Sequence, residues 1–174
     1  PVPTAVPTST TLPSATALPT ATPVPTATPV PPGCSASGNG TYESQVITLI
    51  NQERTDRGLP ALSLNTSLRQ AARRHSEDMA CNDFFSHTGS DGSTFSSRIQ
   101  DAGYSYSWAA ENIAGSSSGS FSAQAVVSMW MNSSGHRKNM LSANAVHIGV
   151  GFRYAGDSNS GDLDAYYTAN FGSP

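Results

Sequence analysis

Residues 1 to 32 are nearly all Pro, Thr, Ala, Val and Ser and end in the repeat "PTATPVPTATPVPP"; of the chain's prolines, all but Pro60 and Pro174 lie there. Each proline fixes φ and lacks an N–H to donate to a ladder, and almost no large apolar side chain accompanies them, so this stretch cannot supply a core. An extended, polyproline-like stalk is expected over 1–32, with a reach on the order of 100 Å at about 3.1 Å per residue. Folding is left to about 140 residues, 33–174, enough for one domain of ordinary size.

The stalk also bears on location. Spaced Thr and Ser among prolines resemble an O-glycosylated segment, and "NTS" at Asn65 and "NSS" at Asn132 match the N-glycosylation pattern. There is no basic n-region with an apolar h-region at the start and no apolar run near 18 residues, so no membrane span is expected. An export signal or anchor ahead of Pro1 is expected on the strength of the stalk alone, which places the domain outside the cell. With a net charge of -3 and nine basic residues, the chain has no stripe suited to nucleic acid or anionic lipid. Nothing points to an oligomer, and a monomer is expected. Cys34 and Cys81 pair if the compartment is oxidising, for a gain of roughly 3 to 4 kcal/mol by loop entropy; two free thiols are the alternative.

Within the folded part, "YESQVITLINQERTDRG" sets Val46, Ile47, Leu49, Ile50 and the Glu53/Arg57 pair at helical spacing, with Gly58 and Pro60 as the stop. A second helix starts at an Asn65 cap and aligns Leu68, Ala71, Ala72, His75 and Met79 on one inward stripe. Turn residues fill 87–95, and Phe95, Ile99 and Ala102 predict a short helix closed by Gly103. "YSYSWAAENIAG" reads as a loop or a strand. A fourth helix follows a Ser120 or Ser122 cap and ends by Asn132 or Ser133; a short helix "GHRKNML" capped by Ser134 comes next. "AVHIGVGFRYA" and "LDAYYTANFG" alternate as strands, Ile148, Val150, Phe152 and Tyr154 sharing a face, with "GDSNSGD" as the hairpin loop. Helices with late strands predict an α+β fold in which helices cover an antiparallel sheet.

Glu111 in "WAAENIAG" is a carboxylate among apolar neighbours and needs a partner if buried. His87 opens a turn-rich loop behind two aromatics. His136, in the first turn after a helix end, is favoured as the neutral imidazole by the helix dipole, the form that binds a metal or accepts a proton. Two imidazoles and a carboxylate suit a divalent transition ion or a general-base site, although neither HExxH nor CxxC is present. His75, on its helix's apolar stripe, reads as a core histidine bonded to a backbone carbonyl or a carboxylate. His147 falls on the face opposite Ile148 and Val150. Ser86 does not read as a nucleophile, because neighbours in an extended segment point apart.

"FSHT", "AENIA", "WMNSSGHRKNML" and "HIGVGF", in this order across residues 41 to 172, resemble the bacterial branch of the CAP superfamily, the SCP-like extracellular domain of cysteine-rich secretory, antigen five and pathogenesis-related proteins. The resemblance implies a three-layer α-β-α sandwich with a central antiparallel sheet and an open cavity lined by two histidines and two acidic residues. By motif position His87 and His136 resemble the cavity histidines and Glu111 the first cavity glutamate, and some relatives hold zinc or another divalent ion on the two histidines. The sequence departs from the pattern twice. Asn132 and Ser133 stand where many eukaryotic members have the second acidic residue, and Ala110 replaces the usual glycine before the glutamate.

Two histidines and water would make a loose, exchangeable metal site. The resulting expectation is a secreted or surface-displayed binding module that takes a divalent cation such as zinc at His87 and His136, and a small or lipid-like ligand, with no organic cofactor. A metal-dependent extracellular hydrolase with Glu111 as general base is the rival. A purely structural or adhesion domain is a third reading.

Overall fold

The structure, a computed structural model, describes Cys34 and residues 36–117, 121–155 and 163–174. The stalk expected over 1–32 and the hairpin loop at 156–162 lie outside the described residues. The elements run α1 (Gly40–Thr55), β1 (Ser63–Leu64), α2 (Thr66–Asn82), α3 (Phe95–Asp101), β2 (Trp108–Ser116), α4 (Ala123–Asn132), α5 (Ser134–Met140), β3 (His147–Tyr154) and β4 (Ala165–Ser173).

The helices begin where polar side chains satisfy the free N–H groups of a first turn. Asn39 Oδ1 accepts from the N–H groups of Thr41 and Tyr42, Asn65 from Leu68, and Ser122 from Ala125, while Thr94 and Ser97 form a reciprocal capping box on α3. Gly58 and Gly103, both at positive φ, end α1 and α3 as expected. The segment left open as loop or strand is β2.

The four-stranded sheet has the order β1-β3-β4-β2. β2, β3 and β4 pair antiparallel, and the two-residue β1, which the sequence did not suggest, pairs parallel with β3. Alternation then assigns the layers. Ile148, Val150 and Phe152 of β3, with Tyr167, Ala169 and Phe171 of β4, pack under Val46 and Ile50 of α1, Val126, Val127 and Trp130 of α4 and Met140 of α5. On the opposite face, Leu68 and Ala71 of α2 pack with Ile99 and Tyr104, and Met79 and Ala80 with Ile113 and Tyr166. The result is the three-layer α-β-α sandwich expected.

α2 seats directly on the sheet because β3 offers it no side chains at Gly149 and Gly151. A Cβ on Gly149 would overlap the backbone of Leu68 and Arg69, and one on Gly151 the backbone of Ala72 and Arg73. His147 shares this face, as expected from its phase, and its Nδ1 lies 2.8 Å from the Tyr104 hydroxyl. The layers are also tied by charge: Glu43 of α1, 1% exposed, accepts from Arg73 of α2 at 2.6 Å. Cys34 and Cys81 form a disulfide with Cα atoms 5.5 Å apart, which fastens the start of the domain to the last turn of α2.

α5 departs from expectation at its start. Its N-cap is Ser133, not Ser134, and no side chain caps it. Ser133 is also the C-cap of α4, its N–H bonded to the carbonyls of Met129 and Trp130, so one extended residue serves both helices and Ser134 falls inside α5.

Candidate functional site

Glu111 finds its partner in Arg98, a residue of α3 that sequence reasoning passed over. Both side chains are 1% exposed, and Arg98 Nη2 donates to Oε2 at 2.9 Å and Oε1 at 3.1 Å. The same guanidinium donates to the carbonyls of His87 (3.0 Å) and Ser93 (2.9 Å), so it fixes the backbone at both ends of the turn-rich loop as well as the carboxylate. With its amide oriented to accept from Ala72 N–H, Asn170 donates to Glu111 Oε2 at 3.2 Å. Burial pushes the Glu111 carboxyl up, but the hydrogen bond from His87 and the charge of Arg98 outweigh it and hold the group below the usual carboxylate range.

His87 Nδ1 lies 2.9 Å from Glu111 Oε1, and its side chain is 53% exposed. A carboxylate hydrogen-bonded at Nδ1 fixes the orientation of the ring, the arrangement by which an outer-shell group orients a ligating imidazole. His75, fully buried, sits behind: its Nε2–H donates to the Ser86 carbonyl at 2.8 Å, and Nε2 is 4.0 Å from Glu111 Oε1. Burial pulls the His75 pKa down to about 4, so it is neutral, and the core role expected for it is the one it has.

His136 comes from the other layer. It stands in the first turn of α5, its ring in edge contact with Trp130 at a centroid distance of 6.5 Å, and its Nδ1 is buried without a hydrogen-bond partner. Its pKa is lowered by burial first and then by electrostatic repulsion from His87. Asn112 Nδ2 donates to the His136 carbonyl at 3.1 Å. The two histidines thus belong to opposite layers on either side of β2, an edge strand of the sheet. The outward carbonyls of β2 are already used here: Trp130 Nε1 donates to Ile113 O at 3.0 Å, and Asn139 Nδ2 lies 3.4 Å from Glu111 O.

The structure therefore joins Glu111 to His87 directly and brings His136 within electrostatic reach of His87. Asn132, in the place of the second acidic residue, is exposed at the end of α4. Among the described residues no three His, Cys, Asp or Glu side chains converge as metal ligands. That donor set does not fit a closed structural site, and two imidazole nitrogens completed by water are the most it would supply to an ion.

A three-layer sandwich with a buried glutamate orienting one of two histidines from opposite layers defines the class. The chain belongs to the CAP family, the Cysteine-rich secretory protein family, whose model matches residues 47–171. It is 42% identical over 116 residues to the uncharacterized protein YkwD of Bacillus subtilis (strain 168), a match covering 66% of this chain and 44% of that one. It is 34% identical over 131 residues to the uncharacterized membrane protein YlbC of the same organism, covering 75% and 34%. The chain thus spans less than half the length of these curated relatives. Among solved structures, it is similar to an extracellular protein containing a SCP domain from Bacillus anthracis str. Ames, at TM-score 0.66 and 31% identity over 77% of this chain and 41% of that one. An outer surface protein from Borrelia burgdorferi shares the fold at TM-score 0.67 and 21% identity, covering 79% and 98%. No helix among the described residues is long and apolar enough to cross a membrane.

Proposed function

We propose that this chain is an extracellular binding module in which His87 and His136 hold a divalent cation, zinc by choice of donor, in an exchangeable site open to water and to a small ligand. The observation that carries this reading is the Glu111 carboxylate, clamped by Arg98 and bonded to His87 Nδ1, which orients the half-exposed His87 ring as an outer-shell carboxylate orients a ligating imidazole. His136, held neutral by burial, is the second. The extracellular setting is supported by the disulfide and by the extracellular and surface proteins that share the fold.

The same bonds weigh against a hydrolase with Glu111 as general base. Both oxygens are occupied, the side chain is 1% exposed, and its lowered pKa makes it a weak proton acceptor. Calorimetric titration of the full chain with zinc at neutral pH is the test. Micromolar or tighter binding, about -8 kcal/mol, lost in His87→Ala/His136→Ala, is the expected result. Heat that survives in the double variant, or no heat in the parent, rejects the site. Zinc-stimulated peptide cleavage abolished by Glu111→Gln would restore the hydrolase.

A second ligand reading has its own observation. A groove of about 470 Å³ between the N-terminal halves of α1 and α4 is walled by Thr48, Leu49 and Ala123 among others and is mostly apolar. Ser44 and Thr48 turn their hydroxyls back to the carbonyls of Gly40 and Ser44, so the groove gains no donor from them. It suits a slender, lipid-like chain. Displacement of a fluorescent fatty acid, weakened by Thr48→Arg and Leu49→Arg, checks this; equal binding by the variants refutes it.

A further inference from the structure

We propose that Asn112 is the positioning residue for His136, so that two successive residues of β2 each fix one member of the histidine pair. Its consequence for zinc rests on the binding reading above; the geometric claim does not.

α5 cannot hold His136 in place by itself. It has seven residues, no side-chain cap and a glycine, Gly135, in its first turn, with nothing within 4 Å of where a Cβ would stand. Helices this short are unstable without outside contacts, and fraying starts at an uncapped end. The end that frays is the one carrying His136.

Asn112 supplies the outside contact. It is fully buried, where an unsatisfied amide would be costly, and both ends of its amide are used on α5. Nδ2 donates to the His136 carbonyl at 3.1 Å, and Oδ1 accepts from Asn139 Nδ2 at 2.9 Å. Positions 136 and 139 are three apart and so lie on one face of the helix, gripped at two points by a single side chain. Asn139 Nδ2, 3.4 Å from Glu111 O, ties the same face to the strand's backbone.

Successive strand residues point to opposite faces. Glu111 therefore reaches the α2 and α3 layer and orients His87, while Asn112 reaches the α4 and α5 layer and anchors His136. One dipeptide of a paired strand thus holds a contact to each histidine, to the ring of His87 through Glu111 and to the backbone of His136 through Asn112.

The test uses the full chain with Asn112→Ala and, separately, Asn139→Ala. Amide hydrogen exchange across α5 and the ring ¹⁵N shifts of His87 and His136 are read without zinc, and zinc affinity is then measured. The expected result is exchange at Arg137 and Lys138 faster by about tenfold or more, displaced His136 ring shifts and unmoved His87 shifts. Zinc binding should weaken by about 10- to 100-fold, the usual cost of losing an outer-shell partner. Unchanged exchange and unchanged His136 shifts in both variants would overturn the proposal, as would His87 shifts that move as far as those of His136. Loosening of α5 in a protein whose parent binds no zinc would sink the binding reading and leave the positioning role standing. If Asn112→Ala does not fold, the half-buried Asn139→Ala decides.

Discussion

Replacing Arg98 with methionine isolates what the buried pair contributes. Methionine fills much of the same volume but strands the Glu111 carboxylate, 1% exposed, without its cation and without two of its hydrogen bonds. It also frees the carbonyls of His87 and Ser93. Breaking a buried ion pair from one side costs about 3 to 5 kcal/mol. With a urea m-value near 2 kcal/mol per molar, a loss of about 4 kcal/mol moves the unfolding midpoint down by about 2 M. Most of that loss comes from the orphaned charge, so Arg98→Met/Glu111→Gln should recover part of it, and the pair should be far from additive in a double-mutant cycle. The assay is urea unfolding of the four proteins at pH 7, followed by tryptophan fluorescence. A single variant within about 1 kcal/mol of the parent, or a double variant that behaves as the sum of the singles, would refute the view that Arg98 exists to compensate Glu111.

His75 makes stability depend on pH. Its folded pKa, about 4, lies below the ordinary histidine value, so as pH falls below about 6.5 the unfolded chain takes up a proton that the folded one refuses. Stability present above that range is lost progressively toward pH 4, by roughly 2 to 3 kcal/mol at pH 4.5, and His75→Gln should flatten the dependence of the urea midpoint over that window. Gly149→Ala should cost more than about 3 kcal/mol or prevent folding, because the added carbon meets backbone, whereas Gly135→Ala should stabilise by up to about 1 kcal/mol; thermal melts of the two separate the cases. Reduction of Cys34–Cys81, or serine at both positions, should lower stability by about 3 to 4 kcal/mol and the melting temperature by roughly 10 °C.

What could be read from the sequence was local or periodic. The stripe through Leu68, Ala71, His75 and Met79, the cap at Asn65 and the stops at Gly58 and Gly103 depend on neighbours within a turn or two and stand where expected, and of Ser120 and Ser122 it is Ser122 that caps α4. The need for a partner at Glu111 was also legible, since a carboxylate among Trp, Ala and Ile has to be met by something. Its identity was not. Arg98 lies in a different element, and only the docking of α3 against β2 brings it to the carboxylate. Ser134 was misjudged because two helices share Ser133, a junction that cap preferences for separate helices do not describe. The alternate glycines in "HIGVGF" were a missed signal: every second side chain was absent from one face of a strand, which marks the close approach of another backbone.

The sheet's two edges have a consequence for pairing between copies of this domain. An exposed strand edge is a template on which a neighbouring chain can add its own strand. One edge here is β3, covered at its start by the two-residue β1, with the Phe152 N–H directed at the Glu43 carboxylate and Tyr154 bridged by Ser37 at its end. The other is β2, nine residues long, where Trp130 and Asn139 from the same chain occupy the carbonyls of Ile113 and Glu111 in mid-strand. Side chains beside the candidate site therefore also guard the middle of this edge, where an added strand would have to displace them before it could pair.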